Sequence, residues 1–191
     1  YPQLCAPALL LDDEKGARLA VEHLAGLGHR RIAGLFHRDL LQGVLRMRGY
    51  LAAMKRLGLR LNSRWAGTYG HLEKAERIPA FLRGVMDLPA EERPTAVVCF
   101  NDETAVALLD AARAMGLSVP GDLSVVGFDD SPVAAAGDVK LTTIAHPKEE
   151  MGRTAARMLL DMIERGAAPE EDIVFEPALV VRQSTARVKK Q

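Results

Sequence analysis

At 191 residues, with 48% hydrophobic and 26% charged side chains, the chain is long enough to bury a substantial core in one large domain or two small lobes, and its composition excludes disorder. Its 25 Lys plus Arg balance 25 Asp plus Glu. No overall field therefore gathers phosphate or anionic lipid, and a direct nucleic-acid surface is disfavoured apart from a small basic cluster at residues 187–190.

Cys5 and Cys99 lack metal or redox spacing, and Cys99, inside TAVVCF, reads as a small core hydrophobe in a reducing compartment. No apolar run is long enough to cross a bilayer, and no signal-peptide pattern opens the chain. The start at Tyr1 rather than Met leads to the expectation that something has been removed: a signal, a tag or a whole upstream region.

In chain order, residues 8–11 form an apolar strand that leads through Asp12 and Asp13 into a helix over 15–27, with Gly28 closing it. Residues 31–36 form a second strand and 42–57 an amphipathic helix stopped by Gly58. A weak strand at 63–69 precedes a helical pattern over 72–86, which Pro79 should bend or interrupt. The proline-containing interval 70–94 could also mark a passage between lobes.

The dense apolar run 95–100 suits a strand covered on both faces and leads into a helix over 103–115, closed by Gly116. Strands follow at 123–128 and 141–144, then a long helix at 148–163 and a final extended segment at 173–182. Strand–helix alternation of this kind predicts a parallel doubly wound sheet with right-handed crossovers.

Ligands of such sheets bind beyond the carboxyl ends of the strands. The order places Asp12, Asp13 and Lys15, then Asn101 and Asp102, then Asp129 and Asp130, and His146 at four strand ends. These side chains can donate to or accept from the hydroxyls of a polyhydroxylated ligand. Each also has a plain structural role open to it: Asp102 as the cap of the helix that follows, Asp130 as a turn residue before Pro132, Arg46 as a solvated or paired helix residue. Enzyme signatures are missing, with no dinucleotide fingerprint, phosphate loop, GxSxG elbow or HExxH pair, so no catalytic residue, cofactor or metal site is expected.

The segments DDEKGARLAVEHLAGLGHRRIAGLF, LQGVLRMRGYLAAMKRLGL, PTAVVCFNDETAVALLDAARAMGLSVPGDLSVVGFDDSP, LTTIAHPKEEMGRTAARMLLDMI and FEPALVVRQST occur in that order over residues 11–185. In this the chain resembles the effector-binding core of the LacI/GalR family of bacterial repressors, and within it the arabinose-responsive members. The resemblance implies an α/β, periplasmic-binding-protein-like fold of two-lobed parallel sheets crossed by several strands. Residues 1–191 would be a truncated effector domain, lacking the first strand–helix units of the amino-terminal lobe and any DNA-reading module.

It implies a cytoplasmic homodimer, with residues 132–139 a candidate contact segment or a loop. The effector would be a sugar, L-arabinose by similarity, and operator DNA would be a partner only through a module outside this chain. The alternative is a sugar-binding protein of a transport system. Residue by residue, the family pattern implies effector contacts by Asn101, Asp129, Arg46 and His146. Lys15 falls on a loop bordering the cleft, Gln42 near Arg46, and Tyr69 at an apolar wall against the sugar ring. The incomplete first lobe is expected to expose sheet edge and apolar helix surface.

Overall fold

The computed structural model describes residues 7–166 and 172–188, so Cys5 and the basic residues 189–190 lie outside the described residues. The chain runs β1 (Leu9–Leu11), α1 (Asp13–Gly26), β2 (Ile32–His37), α2 (Leu41–Arg56), β3 (Ala66–Tyr69), α3 (Lys74–Met86), β4 (Ala96–Cys99), α4 (Asp102–Ala114), β5 (Ser124–Phe128), α5 (Pro132–Ala136), β6 (Thr142–Ala145), α6 (Lys148–Arg165), β7 (Ile173–Phe175) and β8 (Ala178–Val180).

A six-stranded sheet has the order β3-β2-β4-β5-β6-β8, and β1 pairs with β7 in a separate two-stranded sheet. The large sheet is parallel from β3 to β6, as the alternating pattern predicts. The single extended segment expected over 173–182 is instead two strands in different sheets, and β8 runs antiparallel to β6. The cause is topological. β6 leaves the large sheet at its carboxyl end toward the small sheet, and β8 returns through the same end after only Glu176 and Pro177, so it must run the other way.

From β2 the chain first adds β3 at one edge and then returns past β2 to place β4 on its other side. The order reverses between β2 and β4, which is where crossovers diverge and a crevice opens in such sheets.

Side chains alternate across the strands and divide the core in two. Ile32, Phe36, Val98, Val126 and Phe128 pack under α1 and α2 through Ala17, Val21, Leu24, Tyr50 and Met54. Ala33, Leu35, Val97, Cys99 and Val125 pack under α3 and α4 through Ile78, Leu82, Val85, Ala105 and Leu108. Cys99 is buried and unbridged there, as its apolar setting suggested.

Pro79 does not end the helical pattern: α3 is assigned continuously from Lys74 to Met86. Burial of Ile78, Leu82 and Val85 against the sheet outweighs the one hydrogen bond a proline removes. The interval 70–94 therefore belongs to the large sheet's layer and is no passage between lobes. Residues 132–136 form a short helix rather than a loop, with Ala134 buried and accepting a hydrogen bond from Leu141 N at 2.8 Å.

Around the small sheet, apolar side chains are left in the open: Leu159 and Ile163 on α6 are 58% and 71% exposed, and Val174 on β7 is 57% exposed. This matches the surface expected of an incomplete lobe.

Close packing of α1 on α2 depends on Gly49, where a Cβ would stand 2.1 Å from the Glu14 carbonyl oxygen. Gly49→Ala gains helix propensity of about 1 kcal/mol but forces two backbones apart. We expect a net destabilisation of about 2 kcal/mol, read from the urea midpoint at unchanged m value.

Candidate functional site

Arg46 reaches the carboxyl edge of the large sheet from the second turn of α2 and is only 6% exposed. Its Nε donates to Asp13 Oδ1 at 2.7 Å, its Nη1 donates to the Phe100 carbonyl at 2.7 Å, and its Nη2 lies 3.2 Å from Asp129 Oδ1. The guanidinium stacks on Phe128, 3.6 Å from the ring centroid, with Phe100 at 4.9 Å. Phe100 follows β4 at the switch point, so the cation sits where the fold opens its crevice.

Asp129 is held in the left-handed region with φ of 101°, and Asp130 follows at 45°. A non-glycine residue there costs on the order of 1–3 kcal/mol and persists only where surrounding contacts enforce it. The enforcing contacts are Asp129 N donating to Ile144 O at 2.7 Å, and Arg182 Nη2 donating to Asp130 Oδ1 at 2.7 Å. They turn the Asp129 carboxylate toward Arg46 and His146, whose Nε2 is 3.9 Å away.

His146 Nδ1 is buried without a hydrogen-bond partner among the described residues, while the side chain as a whole keeps 22% exposure. Burial chiefly lowers the His146 pKa, helped by Lys148 and Arg46 and opposed by Asp129 and Asp13. Burial raises the Asp13 pKa even though Arg46 pulls it down. One guanidinium thus faces two carboxylates and a neutral imidazole.

A sequence profile described as a periplasmic binding protein-like domain matches residues 21–185. The arabinose metabolism transcriptional repressor of Geobacillus stearothermophilus is 47% identical over 98% of this chain and 52% of its own length. The chain belongs to the LacI/GalR family. It spans about half the length of the curated relatives it matches. Among solved structures, a LacI-family regulatory protein of Chloroflexus aggregans is similar at a TM-score of 0.86 and 34% identity, over 98% of this chain and 66% of that one. The transcriptional regulator CelR in complex with cellobiose follows at 0.83 and 31%, over 94% and 54%.

Within this LacI/GalR fold, Arg46, Asp129 and His146 come together. Gln42 is exposed one turn before Arg46 on the same helix. Lys15, in the first turn of α1, pairs with Glu176 beside the chain crossings between the two sheets. Tyr69 is 2% exposed and shares a 2.6 Å hydrogen bond with Thr104 Oγ1, and burial pushes its pKa up to about 12. Its ring supports His37 edge-on, 5.0 Å between centroids, and presents no open face.

The capping role that strand-end reading allowed to Asp102 falls to Asn101, which was expected as an effector contact, and Asp102 is buried in a structural role. Asn101 is the cap of α4, its Oδ1 accepting from Thr104 N at 2.9 Å and Thr104 Oγ1 at 2.7 Å. Asp102 is 1% exposed and accepts from Thr143 Oγ1 at 2.6 Å and from Ser131 N and Oγ at 2.7 and 3.0 Å. It ties β6 and the start of α5 to α4.

Asp12, the first acid of its pair, caps α1 through Lys15 N at 2.8 Å, while its neighbour Asp13 holds Arg46. Asp13, Phe100 and Phe128 are not among the expected effector contacts. Only Asp13 carried a signal in sequence, as half of a strand-end acidic pair. Among the described residues no group of three His, Cys, Asp or Glu side chains is placed to hold a metal.

His23, His29 and His146 all have pKa values lowered mainly by burial. Their contribution is intact above the ordinary value of 6.5 and is lost as pH falls below it, because the unfolded chain then binds protons that the folded one resists. The raised Asp13 and Asp102 act oppositely, at pH values above the ordinary 3.8. Unfolding free energy should therefore decline as pH falls below 6.5, and His29→Gln should flatten that decline in denaturant titrations at a series of pH values.

Proposed function

We propose that this domain is the sugar sensor of a bacterial transcription repressor, with L-arabinose as its effector. The observation that carries this reading is the charge balance around Arg46, which has Asp13 and Asp129 already against it. An anionic ligand would meet two carboxylates, whereas a neutral polyol donates its hydroxyls to the part-exposed side chains of Asp129 and His146. Arabinose is favoured among neutral sugars by the similarity to the arabinose repressor of Geobacillus stearothermophilus.

In this reading residues 1–191 are part of a two-lobed effector domain. The remainder of the first lobe covers the exposed apolar face of α6 and the small sheet, and roofs the cleft. Sugar stabilises the closed lobes in a symmetric cytoplasmic dimer, to which residues 132–139 contribute. Closure shifts the spacing of two upstream DNA-binding modules, and affinity for a two-fold operator falls. The domain binds and does not catalyse.

Calorimetric titration of the full-length protein with L-arabinose, D-galactose and D-xylose tests this. Selective saturable binding of arabinose, followed by operator release, is the expected outcome, and no binding to any of the three overturns the ligand assignment. Asp129→Ala should weaken sugar binding by about tenfold or more.

A further inference from the structure

On the opposite side of the large sheet, the amino-terminal ends of β2, β4 and β5 border a second concavity of about 570 Å3. Its wall is built from segments far apart in sequence. Thr95 N donates to Arg31 O at 2.8 Å, Ser124 N to Thr95 O at 3.0 Å, and Val188 N to Leu27 O at 3.1 Å. The ring of His29, 3% exposed, spans the same joint: its Nε2 donates to Ala186 O at 3.0 Å and its Nδ1 pairs with Thr95 Oγ1 at 2.8 Å. Burial lowers the His29 pKa, so it serves as neutral wall.

Charge is supplied by Arg31, Arg93 and Arg187, and an apolar side by Met86, Leu117 and Pro120. Arg31 Nε donates to Arg93 O at 2.6 Å and Arg93 Nε donates to Leu88 O at 2.7 Å. These bonds anchor each stem and leave the Nη groups of both, together with the whole Arg187 guanidinium, without a partner among the described residues. Among the described residues of the lining Asp122 is the one carboxylate, and its Oδ2 already accepts from Ser118 N and Oγ, both at 2.8 Å. Arg46 in the cleft is compensated; these three guanidinium groups are not.

We propose that this groove is a second binding site, for a small organic anion. A phosphate or carboxylate group takes paired hydrogen bonds from the arginines, and an apolar body lies against Met86, Leu117 and Pro120. The site is separate from the sugar cleft, on the far side of the sheet, and would report a second metabolite to the same domain.

The test is calorimetric titration of the full-length protein with phenyl phosphate and with benzoate, which separate a phosphate from a carboxylate ligand, and with phenol as the uncharged control. Saturable binding of either anion but not phenol, below about 10 mM, is expected. The double variant Arg93→Gln/Arg187→Gln, at two exposed positions, should weaken that binding by about tenfold and leave sugar binding unchanged. Asp129→Asn should leave anion binding unaltered. An anion seated on Arg46 would instead bind more tightly once a competing carboxylate is gone, and that strengthening overturns the proposal. So does wild-type affinity in the double variant, equal binding of phenol, or no binding of either anion.

Discussion

Arg46 is held at the sheet's carboxyl edge by Asp13 from α1, the Phe100 carbonyl after β4 and Asp129 after β5, over the ring of Phe128. A buried guanidinium tolerates no missing acceptor: removing one partner of such a pair costs about 3–5 kcal/mol, although the pair itself adds little net stability. What the cluster fixes is arrangement. α1, α2 and the ends of β4 and β5 must all be in place for the cation to be accommodated, and the strained backbone at Asp129 is tolerated because its carboxylate completes the set.

Most of the large sheet was legible in the sequence because its signals are local and strong. Helices with apolar residues returning at three and four and a glycine just beyond, such as α1, α2 and α4, lie within a few residues of their predicted bounds, with Gly28, Gly58 and Gly116 all at positive φ. What was not legible depends on tertiary context. Pro79 reads as a break, yet three buried apolar neighbours keep α3 whole. The five residues of α5 are too few for a period to appear. Asn101 and Asp102 are adjacent polar residues, and which one caps α4 depends on where β4 ends to within one residue. Asp13 and Arg46 are 33 positions apart, and only the packing of α1 on α2 makes them neighbours.

The two ends of the sheet differ in electrostatic character although the chain as a whole is neutral. At the carboxyl ends Arg46 is outnumbered by carboxylates, and at the amino-terminal ends arginine stems are fixed by carbonyls while their tips have no partner among the described residues. Composition averages over this difference, which is why a net charge of zero says nothing about either surface.

The chain passes between the small and large sheets at β1 to α1, at β6 to α6 and at β7 to β8. The first and third passages are fastened together, Asp12 N donating to Phe175 O at 3.0 Å and Lys15 pairing with Glu176. Asp13, the very next residue, grips Arg46. A swing of the small sheet must therefore twist one peptide bond away from the buried Arg46, so the joint acts as a lever whose short arm ends at that guanidinium.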